Sequence, residues 1–245
     1  MAQIISVLSG KGGAGKSTTT VMLGGALAAA GKRVLLVDCD AGLRSLEIFT
    51  GAGGETVYHW GDALDKTCSI ADALLHCKGG YSLLPAPDKL PETVRPERFA
   101  ALLNCFSANF DFILIDGPAG LGRGFRFAAA PAQHILLVSA PDEVSLYACN
   151  AAREALSAEG KQSMRLILNH FRYMAVRKSF QKNIDDSIDK TGVRLIGIVP
   201  EDNNLCYFGS NGLLPKGNSK GVRAFIRIAG RLEGKNIPLK LNDLL

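Results

Sequence analysis

The residues best placed to do chemistry are Gly10-Lys11-Gly12-Gly13-Ala14-Gly15-Lys16-Ser17-Thr18, which satisfy GxxxxGK[ST]. A β-rich apolar run, Ile4–Leu8, precedes them, and a helix-like pattern over 16–30 follows. Glycines let successive backbone N–H groups wrap a phosphate, and the start of a helix adds the positive end of its dipole. Lys16 is then expected to reach the β- and γ-phosphates, and the Ser17 hydroxyl to ligate Mg²⁺. The same letters hold Gly10-x-Gly12-x-x-Gly15 with Asp38 downstream, the fingerprint of a dinucleotide site. Lys16 and Ser17 decide for a nucleoside triphosphate, because a dinucleotide loop has no use for that ammonium and hydroxyl.

Three carboxylates belong to the same chemistry. Asp38 and Asp40 follow the apolar run Val34–Val37, and Asp116 follows Phe112–Ile115. Acids at the C-terminal ends of strands face the crevice where open α/β sheets bind ligands. Asp116 therefore suits holding Mg²⁺, directly or through water. The plainer alternative, that such acids cap the helices after them (Asp40 before 43–49), stays open.

The elements needed to position these groups are legible as an alternation. Strand candidates are Ile4–Leu8, Val34–Val37, Ser82–Leu84, Phe112–Ile115, Ile135–Ser139, Leu166–Leu168 and Leu195–Val199; helix candidates lie near 16–30, 96–108, 143–158, 176–191 and 219–233. Several strand runs are apolar on both faces, as in a parallel sheet covered on each side by helices. The expectation is an α/β, doubly wound, mainly parallel sheet. No stretch reads as a linker, so 1–245 is taken as a single domain.

The 245 residues include 28 Lys+Arg, 23 Asp+Glu and 47% hydrophobic side chains, a composition that excludes disorder. No apolar run approaches the roughly 18–20 residues of a membrane span. The start of the chain lacks a basic signal-peptide region. The six cysteines are spread singly, with no CxxC pair, which fits reduced cytosolic thiols. Charge is uneven: residues 172–245 carry 13 basic and 7 acidic side chains, so the whole surplus of +5 sits in the last third. Lys220, Arg223, Arg227 and Arg231 fall at helical spacing, with Val222, Phe225, Ile226 and Ala229 as the apolar side. Arg177, Lys178 and Lys182 form a second cluster. Such faces are either merely solvated or a surface for a polyanion, duplex DNA or anionic lipid.

The early lysine makes the loop more specific. Lys11-Gly12-Gly13-Ala14-Gly15-Lys16-Ser17 resembles the deviant Walker A motif of the MinD/ParA ATPases. Asp38-Cys39-Asp40-Ala41-Gly42-Leu43-Arg44-Ser45-Leu46-Glu47 resembles the switch I of the MinD branch, Asp116-Gly117-Pro118-Ala119-Gly120 its switch II, and Ile198-Val199-Pro200-Glu201-Asp202 its IPED segment. The resemblance implies a P-loop NTPase fold of SIMIBI type, with ATP and Mg²⁺ as ligands. It implies phosphate binding by residues 10–18 and catalysis by Lys11, Lys16 and Asp40. Ser17, Asp40 and Asp116 would hold the metal, and Asn169 with Pro200, Glu201 and Asp202 would hold adenine. Lys11 would cross an ATP-dependent homodimer interface to the partner's phosphates. A MinC-like effector, and a cytoplasmic protein peripheral at the inner face of the cell membrane, are implied as well.

The chain departs from that pattern in places. Gly122-Arg123 stands where the branch carries Glu-Thr, Ala148-Cys149 where it carries the Arg-Asp pair tied to the MinE activator, and Ser45 where it carries Asn. These differences weaken the expectation of a MinE-like activator. Residues 236–245 hold apolar positions but only Lys240 as a cation beyond Lys235, so they do not read as a membrane-targeting helix. Three functions are in competition: a MinD-like ATPase controlling the division site, a ParA-like positioning ATPase on DNA or a protein anchor, and a nucleotide-dependent scaffold with negligible turnover.

Overall fold

The computed structural model describes residues 1–208 and 219–239. Eight strands form one sheet: β1 (Gln3–Ser9), β2 (Val34–Asp38), β3 (Leu75–His76), β4 (Ser82–Leu84), β5 (Phe112–Ala119), β6 (His134–Ser139), β7 (Met164–Phe171) and β8 (Leu195–Pro200), in the order β3-β4-β2-β5-β1-β6-β7-β8. Every pairing is parallel except β3 with β4. The helices are α1 (Lys16–Ala29), α2 (Ser45–Thr50), α3 (Trp60–Asp65), α4 (Pro96–Cys105), α5 (Arg123–Ala129), α6 (Glu143–Ala158), α7 (Tyr173–Arg177), α8 (Ile184–Thr191), α9 (Asn203–Phe208) and α10 (Lys220–Leu232).

Alternate residues of each inner strand point to opposite faces, and both faces are apolar. From β1, Ile4 and Leu8 join Trp60, Phe99, Phe125 and Leu156 on one side. Ile5 and Val7 join Met22, Leu27, Phe225 and Ile228 on the other. The strands whose C-terminal ends carry the site are thus buried on both sides. Their register places Asp38 directly beside Asp116, and Asp116 beside Val7.

All seven expected strands form. The two-residue β3 has neither length nor alternation to announce it, and α2, α3, α5 and α9, at six or seven residues each, are too short for periodicity to mark. The helix expected over 176–191 divides into α7 and α8. Ser179 adopts a left-handed φ of 59°, and the Asn183 side chain accepts from Asp186 N–H at 2.7 Å, starting a new helix. Arg177, Lys178 and Lys182 consequently share no helix face. On α10, Val222, Phe225 and Ala229 are buried as expected, but Ile226 is exposed. The residues 240–245 of the tail lie outside the described residues.

Candidate nucleotide site at the strand ends

The phosphate loop leaves β1 at Ser9 and enters α1 at Lys16. Gly13 and Gly15 sit at φ of 78° and 89°, conformations that side chains strain to adopt. Space is a second constraint. A Cβ on Gly10 would stand 2.0 Å from the Ala148 carbonyl oxygen, and one on Gly15 would stand 2.2 Å from Asn169 Nδ2. The loop is therefore pressed between α6 and the end of β7. Around Gly13 nothing lies within 4 Å, so that side of the loop is open. No side chain caps α1 and no acid stands in its first turn, so its leading N–H groups are left for an external anion.

Behind the loop lies a buried polar cluster. Asp116 Oδ2 accepts from the Ser17 hydroxyl at 2.6 Å, and Oδ1 accepts from the Thr20 hydroxyl at 3.1 Å. Ser45 Oγ is 3.1 Å from Ser17 Oγ, which brings switch I onto the same hydroxyl. Asp38, fully buried, accepts from Asp40 N–H at 2.8 Å and from Leu46 N–H at 3.1 Å. It is thus Asp38, rather than Asp40, that anchors the first turn of the helix after the strand. Lys16 is 7% exposed, while Asp40 is only half-buried.

Burial dominates the electrostatics. It pushes the Asp38 carboxyl up to about 8, helped by the neighbouring charge of Asp116 and opposed by its two backbone hydrogen bonds. Asp116 is raised to about 6 by burial, with the Ser17 bond and the Lys16 charge pulling it down. Asp40 is raised by burial and partly restored by Lys16. Acids held this uncomfortably, beside one hydroxyl and one ammonium, suit a hard divalent cation. Ser17, Asp116 and Asp40 offer only oxygen atoms, the donor set Mg²⁺ takes when phosphates complete its shell. This donor set suits MgATP.

The outer candidates are placed more variously. Lys11 is exposed at the mouth of the loop, its carbonyl held by the Ser9 hydroxyl at 2.7 Å. Asn169 is buried and donates from Nδ2 to the Ala14 carbonyl at 2.9 Å, so it braces the phosphate loop as well as standing at the end of its strand. Asp202 is engaged by Asn204 N–H at 2.9 Å, by Gly221 N–H at 3.0 Å and by the Ser219 hydroxyl, which ties the segment after β8 to the start of α10. Glu201 is exposed and pairs with Arg172 at 3.3 Å, and Pro200 ends β8.

Several supporting contacts had no sequence signal. Trp60 is completely buried and donates its indole N–H to the Asp38 carbonyl at 2.9 Å. Its ring lies 5.7 Å from Phe127 and 5.1 Å from Phe99, joining switch I to the helix that follows switch II. Buried Glu47 holds Arg44 at 2.6 Å and the Thr56 hydroxyl at 2.8 Å. Arg123, where the resemblance leads one to expect an uncharged Thr, donates to the Pro91 and Glu92 carbonyls at 2.7 and 2.9 Å.

Comparison with known proteins agrees with this geometry. Residues 5–215 match the model of the CobQ/CobB/MinD/ParA nucleotide binding domain. The septum site-determining protein MinD of Synechocystis sp. is 38% identical over 97% of this chain and 92% of its own. Among solved structures, the MinC:MinD cell division protein complex of Aquifex aeolicus superposes with a TM-score of 0.90 at 34% identity, covering 98% of this chain and 99% of that one. The MinD of Pyrococcus horikoshii complexed with Mg-ADP superposes at 0.82 and 28% identity, covering 95% and 96%. The nucleotide loop, the paired strand-end acids and near-complete coverage by these relatives place the chain in the MinD branch of the MinD/ParA family of nucleotide-binding ATPases.

Proposed function

We propose that the chain, acting as one ATPase domain over 1–245, dimerises with ATP and hydrolyses it to control where the division septum is placed. The observation that carries this is the buried junction of Ser17, Thr20 and Asp116 behind an uncapped helix start bearing Lys16. On this reading the loop N–H groups and Lys16 bind the β- and γ-phosphates. Mg²⁺, when bound to Ser17 and Asp116, supplies neutralisation of the charge that gathers on the phosphate oxygens. Asp40, at the half-buried rim, orients the attacking water. Exposed Lys11 reaches the phosphates of a second copy, where an added ammonium stabilises the transferring group much as an arginine finger does. Turnover then times the parting of the dimer.

The relative solved as a MinC:MinD complex supports a MinC-like effector for this chain too. Ala148 and Cys149 leave a MinE-like activator without its expected charged contacts: the Cys149 side chain is buried and the Ala148 carbonyl faces Gly10. Among the described residues no helix is long and apolar enough to cross a membrane. A division ATPase works beside the cytoplasmic ATP pool, and its contact with the inner membrane face is peripheral.

Phosphate release and ATP-dependent sedimentation test the reading together. The parent should hydrolyse ATP slowly and become a dimer in ATP but not in ADP. Lys16→Ala should lose nucleotide binding, and Asp40→Ala should still dimerise while turnover falls about 100-fold. Variants that hydrolyse like the parent would refute the assigned site, and a parent that binds ATP without turnover would leave a scaffold.

A further inference from the structure

Several cations of the last third are engaged within the fold. Arg231 donates to the carbonyls of Ile196 at 2.8 Å, Ile237 at 2.9 Å and Pro238 at 3.3 Å, so it serves the fold. Arg223 and Arg227 are engaged as well. Lys182 and Lys190 both pair with Glu143. Arg194, from the same third, stands instead with Arg153 and Arg165 around the N-terminal ends of β7 and β8, the edge of the sheet opposite the phosphate loop.

Leu166 N–H donates to the Arg194 carbonyl at 2.8 Å, which sets Arg194, just before β8, beside Arg165 on β7. Both side chains are exposed, and neither has a carboxylate partner among the described residues. Arg165 makes one bond, to its neighbour's Met164 carbonyl at 3.0 Å. Like charges on adjacent strands repel unless an anion or water lies between them. Both arginines line a cavity of about 320 Å³ with Arg153, Ser157 and Gln162, and no carboxylate is among its lining residues.

Arg153 is fixed in the cavity wall. Its Nε and Nη2 donate to Asn150 Oδ1 at 3.1 and 2.9 Å, and Nη2 also reaches Glu154 Oε1 at 3.1 Å. Gly192, at φ 63° after α8, gives it room: a Cβ there would stand 3.3 Å from Arg153 Nε. Holding the guanidinium this way leaves its Nη1 hydrogens without an acceptor among the described residues. The planar fork of arginine matches the oxygens of a phosphate and loses little freedom when already held. A volume of 320 Å³ is at the small end for a ligand pocket, suited to a phosphate group rather than a whole nucleotide.

We propose that Arg153, Arg165 and Arg194 form a second anion site, remote from the nucleotide, that takes one phosphate group carried by a soluble phosphomonoester or by a lipid headgroup. The Ser157 hydroxyl and Gln162 amide add neutral donors. This holds whether or not the protein hydrolyses ATP.

Amide NMR of the Mg-ADP-saturated protein tests it, because the phosphate loop is then filled. Glycerol 3-phosphate should shift the amides of 153–157 and 192–194 saturably, and Arg165→Ala/Arg194→Ala should weaken that binding about tenfold or more. Vesicles of phosphatidylglycerol, but not of phosphatidylcholine, should broaden the same amides if the carrier is a lipid, again with loss in the double variant. Saturation by the soluble ester identifies a free ligand, and a response to the anionic vesicles alone identifies a headgroup. If neither probe acts on these amides, or if the double variant responds as the parent does, the site does not exist. The variant's spectrum away from the cavity, and an ATPase rate equal to the parent's, establish that it is folded.

Discussion

The two edges of the sheet treat charge in opposite ways. At the C-terminal edge, Asp38, Asp116 and Lys16 are buried, and each acid oxygen has a named donor. At the N-terminal edge and in the last third, cations are abundant but mostly at the surface, some tied to carbonyls and some to nothing charged. Burial makes an unmade bond expensive, so the first region tolerates one arrangement; solvent makes the second permissive. Net charge is therefore a poor guide to function here, and position a good one. Six substitutions probe that contrast.

The largest effect is expected where backbone meets backbone. Gly10→Ala would bring its Cβ to 2.0 Å from the Ala148 carbonyl oxygen, and only a shift of the loop or of α6 can relieve it. A loss of about 3 kcal/mol, with nucleotide binding disturbed as well, is expected from such overpacking. Gly13→Ala meets no atom within 4 Å and strains only its φ of 78°, for a loss of about 1 kcal/mol. Chemical denaturation of the two ranks them. Equal losses would mean the loop is not pressed against α6.

Trp60→Phe comes next. It leaves the Asp38 carbonyl without its 2.9 Å donor inside the core and removes part of a ring packed on Phe99 and Phe127. About 2 kcal/mol is expected from the lost bond and the gap together. Thermal melting in the presence and absence of MgATP is the measurement, and a variant as stable as the parent would remove Trp60 from the support of switch I.

Trp60 also marks the limit of what the sequence can say. The phosphate loop was legible because its glycines, lysine and hydroxyl are required by the phosphate within a few consecutive positions. Asp38 and Asp116 were legible because each directly follows an apolar run, and the parallel register then sets them side by side. Trp60 and Glu47 were not, because their partners are fixed by folding and no local pattern announces them. The basic stripe on α10 meets the same limit: helical spacing puts Arg231 on a face, but the β8 carbonyl it holds lies 35 residues away.

Arg231→Gln and Arg194→Gln remove the same charge and should differ. The first strands the Ile196 carbonyl and frees the segment at 237–238, costing about 1–2 kcal/mol. The second removes an exposed guanidinium with no ion pair among the described residues and should stay within about 0.5 kcal/mol of the parent. Denaturant midpoints compare them directly. Losses of equal size would make net charge, rather than position, the quantity that matters in this region.

The smallest effect belongs to the exposed pair Arg33–Asp111, at 2.7 Å. The Arg33 hydrogen bonds hold the Asp111 carboxyl down at about 2. A carboxylate whose folded value lies below its unfolded one stabilises the protein above pH 4 or so and loses that contribution as pH falls through 2. Because both partners face water, the melting temperature of Asp111→Asn should sit only about one degree below the parent at pH 7. The gap should close as the pH is lowered from 4 to 2, and should shrink in 1 M salt at neutral pH. A gap that instead persisted at pH 2 would assign the stabilisation to geometry rather than charge. The strict contrast between the two edges would then fail at its exposed end, since a surface carboxyl would be behaving as the buried ones do.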